Sequence, residues 1–229
     1  MTRRILALEA ATDACSVALW ADGVVAARRE IAPRRHAELL LPWAEALLAE
    51  AGWSRSSLDV IAFGRGPGAF TGLRIAAGVT QGLALGLGRP VAPVSTLAAL
   101  ALDAGEAAGS AESPVLVATA LDARMGEVYW APWRVAGETV APLAEEVVSA
   151  PEVIRAPSEE GPWIAAGSGW GAHGEALAAV LGEPAATEAE RRPDAAAVAR
   201  LASRATEGAG LVPAAEAVPV YLRPWRPGT

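Results

Sequence analysis

The sequence predicts an α/β protein of two lobes built from a repeated unit. Three observations predict it. A short apolar run, 59–63, leads into a glycine-rich loop, 64–72, and then into a helical pattern that runs to about Leu87. The first third of the chain reads β-β-β-α-β-α-β-α, and the middle repeats the plan of two hairpins, a helix and a strand. Between the halves, around 104–113, lies a Gly/Ala/Ser/Glu stretch of linker composition.

Each element has a local reason. Residues 5–10 and 16–20 are apolar runs joined by a polar turn at Thr12-Asp13, and Asp22-Gly23 is a hairpin signal before a third strand at 24–30. A helix over 34–51 ends at Gly52. Pro42 is expected to kink it, because its missing N–H cannot bond back to Glu38. A fourth strand at 59–63, the glycine loop and a second helix follow, with Thr71 as the expected N-cap. A strand at 91–95 and a helix at 96–104 close the first half. In the second half strands are expected at 114–121, 126–135 and 139–148, with a turn at Gly137-Glu138. A short helix at 151–156, a strand at 163–166, a helix from about Gly171 and a last helix at 194–205 complete the chain. The division is therefore 1–104 and 105–229, with the last helix and tail packing back on the first lobe.

Composition excludes several classes. The net charge of −7 argues against a stand-alone nucleic-acid binder. A single cysteine, Cys15, excludes an internal disulfide framework and fits a reducing, cytoplasmic setting. No apolar run reads as a signal peptide or a membrane span. The chain has no Lys and no Asn, so neither a Schiff base nor a phosphate-loop lysine is available.

The glycine loop is a candidate anion corner. Glycines let a backbone approach a ligand, and helix N-termini offer free N–H groups. The loop does not have the spacing of a nucleoside-triphosphate loop with its lysine, and it fits a dinucleotide fingerprint poorly. Glu9, Thr12, Gly66, Gly68, Thr71 and Gly72 are the candidate nucleotide or anion contacts. With Asp13, the first-strand end either holds a hydrated cation or only shapes a turn. The two histidines, His36 and His173, lie in no metal-binding spacing, so no metal site is expected. Cys15, beside an apolar strand, reads as a small buried hydrophobe. Gly167-Ser168-Gly169 is a turn into a helix rather than a hydrolase elbow. From the residues alone a binding or scaffold subunit is favoured over an enzyme.

The first helix carries a wide apolar stripe that includes His36, Leu40, Trp43 and Leu47. The second presents Gly78, Gly82 and Gly86 at four-residue steps. That ridge either packs closely on the chain's own sheet or meets a partner helix.

Taken together, these segments carry a resemblance. Residues 5–19 (ILALEAATDACSVAL), 35–42 (RHAELLLP), 63–75 (FGRGPGAFTGLRI), 121–129 (LDARMGEVY) and Tyr221-Leu222-Arg223 resemble, in order, the TsaB (YeaZ) family. The resemblance implies a two-lobed fold of the actin/Hsp70/sugar-kinase type (RNase H-like). It also implies a non-catalytic scaffold role in making N6-threonylcarbamoyladenosine in tRNA. The implied partners are TsaD, which carries a metal on an H-x-x-x-H motif absent here, and the ATPase TsaE. ATP or ADP and a metal would sit on those partners, and tRNA would be met only through the complex. The dimerisation surface carried over consists of His36, Leu40, Trp43 and Leu47 from the first helix and Arg74, Gly78 and Gly82 from the second. A homodimer through the same surface is expected when TsaD is absent. The chain departs from the family at Glu9, where Asp is usual. The alternative is an independent kinase or peptidase of the same superfamily.

Overall fold

The computed structural model describes residues 3–157, 159, 161–207 and 209–223. It divides into two compact units: residues 1–99 with 192–219, and 100–191 with 220–229. The division expected at 104/105 thus falls earlier, inside a helix, and the last helix belongs to the first unit.

In the first unit, strands β1 (Ile5–Glu9), β2 (Ala14–Ala21), β3 (Val24–Ile31), β4 (Val60–Gly64) and β5 (Val91–Val94) form one sheet in the order β3-β2-β1-β4-β5. β1 pairs antiparallel with β2 and parallel with β4, and β5 extends the parallel side. β1 and β4 are buried along their whole length, as strands covered on both faces must be. β3 is the edge strand and is largely exposed. The β2–β3 turn is built on Asp22 and Gly23, with φ of 49° and 81°, the left-handed pair that a two-residue hairpin requires.

Helices α1 (His36–Glu50) and α2 (Phe70–Leu87) cover one face of this sheet, packing with Leu6, Leu8, Val17 and Phe63 into one apolar cluster. Burying a side chain the size of Phe63 is worth roughly 1.5–3 kcal/mol. α1 continues from end to end with Pro42 inside it, and no residue within it leaves the helical region. Pro42 and Glu38 are both exposed, so water can meet the carbonyl that the proline leaves unbonded. Helix α3 (Thr96–Ala107) follows β5. The last helix, residues Ala195–Ala202, lies on β1, β2 and β4 of the first unit. Asp194 caps it by accepting a hydrogen bond from the Ala196 N–H at 2.7 Å.

The second unit repeats the plan. Strands β6 (Val115–Arg124), β7 (Glu127–Ala136), β8 (Thr139–Pro142), β10 (Trp163–Ala166) and β11 (Ala186–Glu188) run in the order β11-β10-β6-β7-β8, and β9 (Val147–Ser149) pairs with β7. β6 is antiparallel to β7 and parallel to β10, as β1 is to β2 and β4. The helix between β10 and β11, α4, spans Ser168–Leu181, and the Ala195–Ala202 helix is therefore α5. The third strand expected at 139–148 is two short strands, divided where Pro142 can no longer donate to a ladder. The helix expected at 151–156 is a single 3₁₀ turn, Pro151–Val153. The core here is aromatic: Trp170 meets Trp130 edge-on at 6.3 Å, and its Nε1–H donates to the Ala118 carbonyl at 2.8 Å.

Candidate functional site

The glycine loop leaves β4 beside the end of β1. Glu9 is 1% exposed there. Its Oε1 accepts from the Ala11 N–H at 2.6 Å, and its Oε2 accepts from the Thr96 hydroxyl at 3.3 Å. Thr96 Oγ1 in turn accepts from the Gly66 N–H at 3.2 Å, and the Gly66 carbonyl accepts from the Thr96 N–H at 2.9 Å. Burial pushes the Glu9 carboxyl up to about 7, against the opposing pull of these donors; Asp194 adds to the rise.

The loop glycines have a reason that spacing alone does not reveal. A Cβ at Gly68 would lie 2.4 Å from the Ala11 carbonyl oxygen, and one at Gly72 would lie 1.9 Å from that of Ala10. The Ala69 N–H donates to Ala11 O at 2.7 Å. The glycines therefore admit the chain's own β1–β2 turn, and one donor at the start of α2 is already served. The N-cap of α2 is Ala69, without a side-chain cap, because the Ala11 carbonyl occupies that corner; Thr71 lies exposed within the helix and does not cap it. The Thr12 hydroxyl accepts from the Ala14 N–H at 3.2 Å, the local turn bond of its residue type. Asp13 pairs with Arg192 at 2.9 Å, and that pairing holds its carboxyl below the usual range despite partial burial.

On α1, the expected interface residues divide by depth. Leu40 is 0%, Leu47 3% and His36 6% exposed, and His36 Nε2 lies 3.2 Å from the Ala14 carbonyl. Leu40 and Leu47 belong to the protein's own apolar cluster and His36 is buried against the Ala14 carbonyl, so in the chain alone these three lie beneath the surface: the stripe is wide because one side of it is spent on the sheet. Trp43 is half-buried and flanks the cluster.

α2 behaves differently. Phe70, Arg74, Gly78, Gly82, Leu85 and Gly86 are exposed along it, Leu85 at 78%. A Cβ at Gly78, Gly82 or Gly86 would meet nothing within 4 Å. The ridge is thus not explained by close packing on its own sheet. The Arg74 guanidinium lies 3.8 Å from the centre of the Phe70 ring, so an apolar and a cationic group share one end of the ridge.

The second unit brings together two segments that are distant in sequence. Arg223 donates to the carbonyls of Ala123 (3.0 Å) and Arg124 (3.4 Å) and pairs with Glu127 at 2.5 Å. It clasps the β6–β7 turn, whose Arg124, Met125 and Gly126 have φ of 64°, 57° and 77°. His173 Nε2 is 3.9 Å from Asp122. The signal for the clasp was an Arg with no local acidic partner near the chain end. Cys15 is fully buried and its thiol is pushed up to about 12, as a small core residue's would be. A cavity of about 240 Å³, walled by Trp130, Trp133, Trp163 and Leu181 among others, contains none of the candidate residues. Among the described residues, no group of three or more His, Cys, Asp or Glu could hold a metal, and no helix is long and apolar enough to cross a membrane.

Comparison with known proteins gives this geometry its setting. Residues 22–203 match the family described as "TsaD: tRNA N6-adenosine threonylcarbamoyltransferase". The chain is 44% identical over 170 residues to the tRNA threonylcarbamoyladenosine biosynthesis protein TsaB of Escherichia coli K12, covering 73% of this chain and 72% of that one. The chain belongs to the TsaB (YeaZ) family. The TsaB of Haemophilus influenzae is 45% identical over 126 residues, 55% of this chain and about half (52%) of that protein. The structure of YeaZ from Pseudomonas aeruginosa matches with a TM-score of 0.88 and 44% identity, over 96% of this chain and 100% of that one. The fold is accordingly the duplicated α/β fold of the actin and RNase H type, as the resemblance implied. In this chain the segments 63–75 and 121–129 have structural roles: one seats α2, and the other is the turn that Arg223 holds.

Proposed function

We propose that this TsaB-family chain is a non-catalytic dimerisation and scaffold subunit in the formation of N6-threonylcarbamoyladenosine in tRNA. It supports a catalytic TsaD subunit and works with the TsaE ATPase. The names of its relatives support the pathway: they are tRNA threonylcarbamoyladenosine biosynthesis proteins. The same names disfavour an independent kinase or peptidase.

The observation that carries the docking role is the open ridge of α2. A glycine inside a helix costs about 1 kcal/mol relative to alanine. Gly78, Gly82 and Gly86 carry that cost at exposed positions where the protein's own fold leaves space for a side chain. A close-packed helix from another subunit supplies the missing reason. Arg74, Gly78 and Gly82 form that surface, with Trp43 half-buried on α1 as a further candidate, while Leu40 and Leu47 lie in the apolar cluster that α1 and α2 share and His36 is buried. The chain forms a homodimer through this face when alone, so self-association and binding of TsaD compete. Neither nucleotide nor metal is assigned to this chain; both belong to its partners, which also carry most of the tRNA contact. The setting is the cytoplasm.

Light scattering after size-exclusion chromatography, on this chain with and without TsaD from the same source, tests the reading. A one-to-one complex that Gly78→Arg abolishes while the variant stays folded is expected. Separate elution of the two wild-type proteins, with and without Mg-ATP, would overturn it.

A further inference from the structure

The proposed docking role makes no use of Glu9, yet this is the most completely enclosed carboxyl group at the loop corner. Its position links several elements. Oε1 holds the Ala11 N–H, and the carbonyl of the same residue holds the Ala69 N–H at the start of α2. The Ala10 carbonyl fills the space that makes Gly72 obligatory. Oε2 reaches Thr96, whose hydroxyl and backbone N–H both bond Gly66. The turn at 10–11 is therefore gripped from one side by a titratable group and from the other by the first turn of α2.

We propose that Glu9 is a proton-operated latch: its carboxyl group holds the Ala10–Ala11 turn on which the glycine loop and α2 are seated, and proton release loosens that seat and the docking face it carries. The docking part of this statement rests on the function proposed above; the latch itself does not.

Burial favours the protonated form, against the donors from Ala11, Ala10 and Thr96. The Asp194 carboxylate at the start of α5 opposes a second negative charge. Cys15 on β2 is driven further toward the neutral thiol by Glu9. Asp13 in the turn is matched by Arg192, Arg65 is the one charged residue of the loop between Gly64 and Ala69, and His36 heads α1 with its ring on Ala14 O. Thr96 can serve both states, because a hydroxyl can donate to a carboxylate or accept from a carboxylic acid. Ionisation leaves a buried charge with three donors, from Ala11, Ala10 and Thr96, and opening the turn to water relieves it.

Hydrogen exchange on the isolated chain reads the latch directly. The amides of Ala11, Gly66, Ala69 and Leu73 are followed at pH 6 and pH 8, with rates corrected for intrinsic chemical exchange. With the closed carboxyl near 7 and the open one at 4.5, protection falls about tenfold over that interval. Glu9→Gln keeps an acceptor for Ala11 and a donor for Thr96 without titrating, so its protection stays flat. Protection in the wild type that does not change with pH overturns the latch, and so does an equal fall in Glu9→Gln. Neither readout needs a partner, so loss of TsaD binding with the pH response intact overturns the docking role alone.

Discussion

The Glu9 carboxylate occupies the space that a side chain on Gly64 would need: a Cβ there would lie 1.8 Å from Oε2 and 2.6 Å from Cδ. Gly64 ends β4 and Glu9 ends the neighbouring strand β1, and each is held in the sheet on its other side, Glu9 opposite Ser16 and Gly64 opposite Val94, so neither backbone can move aside without disturbing a ladder. Gly64→Ala should therefore destabilise the fold by about 2–3 kcal/mol, the cost of overpacking a filled interior. Gly72→Ala should cost at least as much, because its obstacle is the Ala10 backbone carbonyl rather than a side chain. Chemical denaturation of each variant measures this; a midpoint equal to the wild type would mean that the loop adjusts freely.

The glycines of α2 downstream should respond in the opposite sense. Gly78 has open space at its Cβ position and an ordinary helical backbone. Gly78→Ala should raise the stability of the isolated chain by about 0.5–1 kcal/mol through helix propensity. Its self-association should weaken at the same time, because a methyl group separates two helices that pack on glycine. Thermal melting at low concentration reads the first effect and sedimentation equilibrium the second. A variant that is less stable as a monomer would show that the ridge packs within its own subunit.

These contrasts mark what was legible in the sequence. The strand-loop-helix unit at 59–87, the Asp22-Gly23 hairpin and the repeat of strand order could be read because period and turn chemistry are local. The depth of α1's stripe could not: His36, Leu40 and Leu47 recur with Trp43 at helical steps, and only the sheet decides which of them is covered. At Gly68 and Gly72 the sequence could not separate an anion corner from close backbone packing, because a ligand and a carbonyl of the same chain make the same demand on glycine. Here Ala10 and Ala11 meet that demand. The absence of a Thr71 cap has the same origin, since Ala11 already takes the Ala69 donor. The return of the last helix to the first lobe is expected from the sequence, and α5 does lie in the first unit, but the grip of Arg223 on 123–127 depends on a pairing about 100 residues apart, which periodicity cannot carry.

The pH dependence of stability carries Glu9's signature with a definite sign. Its carboxyl is raised in the folded protein to about 7 from 4.5. Between those values the folded chain holds the proton more often than the unfolded one, so stability falls as pH rises. The contribution is complete below pH 4.5, is lost as pH climbs to about 7, and amounts to about 3 kcal/mol at most. Asp13, whose carboxyl is lowered by Arg192, has the reverse sign, and its contribution is lost in acid. The difference between wild type and Glu9→Gln isolates the first group from the second. In urea titrations from pH 4.5 to 8 the two curves should diverge progressively, with Glu9→Gln the more stable at pH 8. Parallel curves would show that the Glu9 carboxyl titrates alike in the folded and unfolded chains, in which case burial at the end of β1 does not govern its proton.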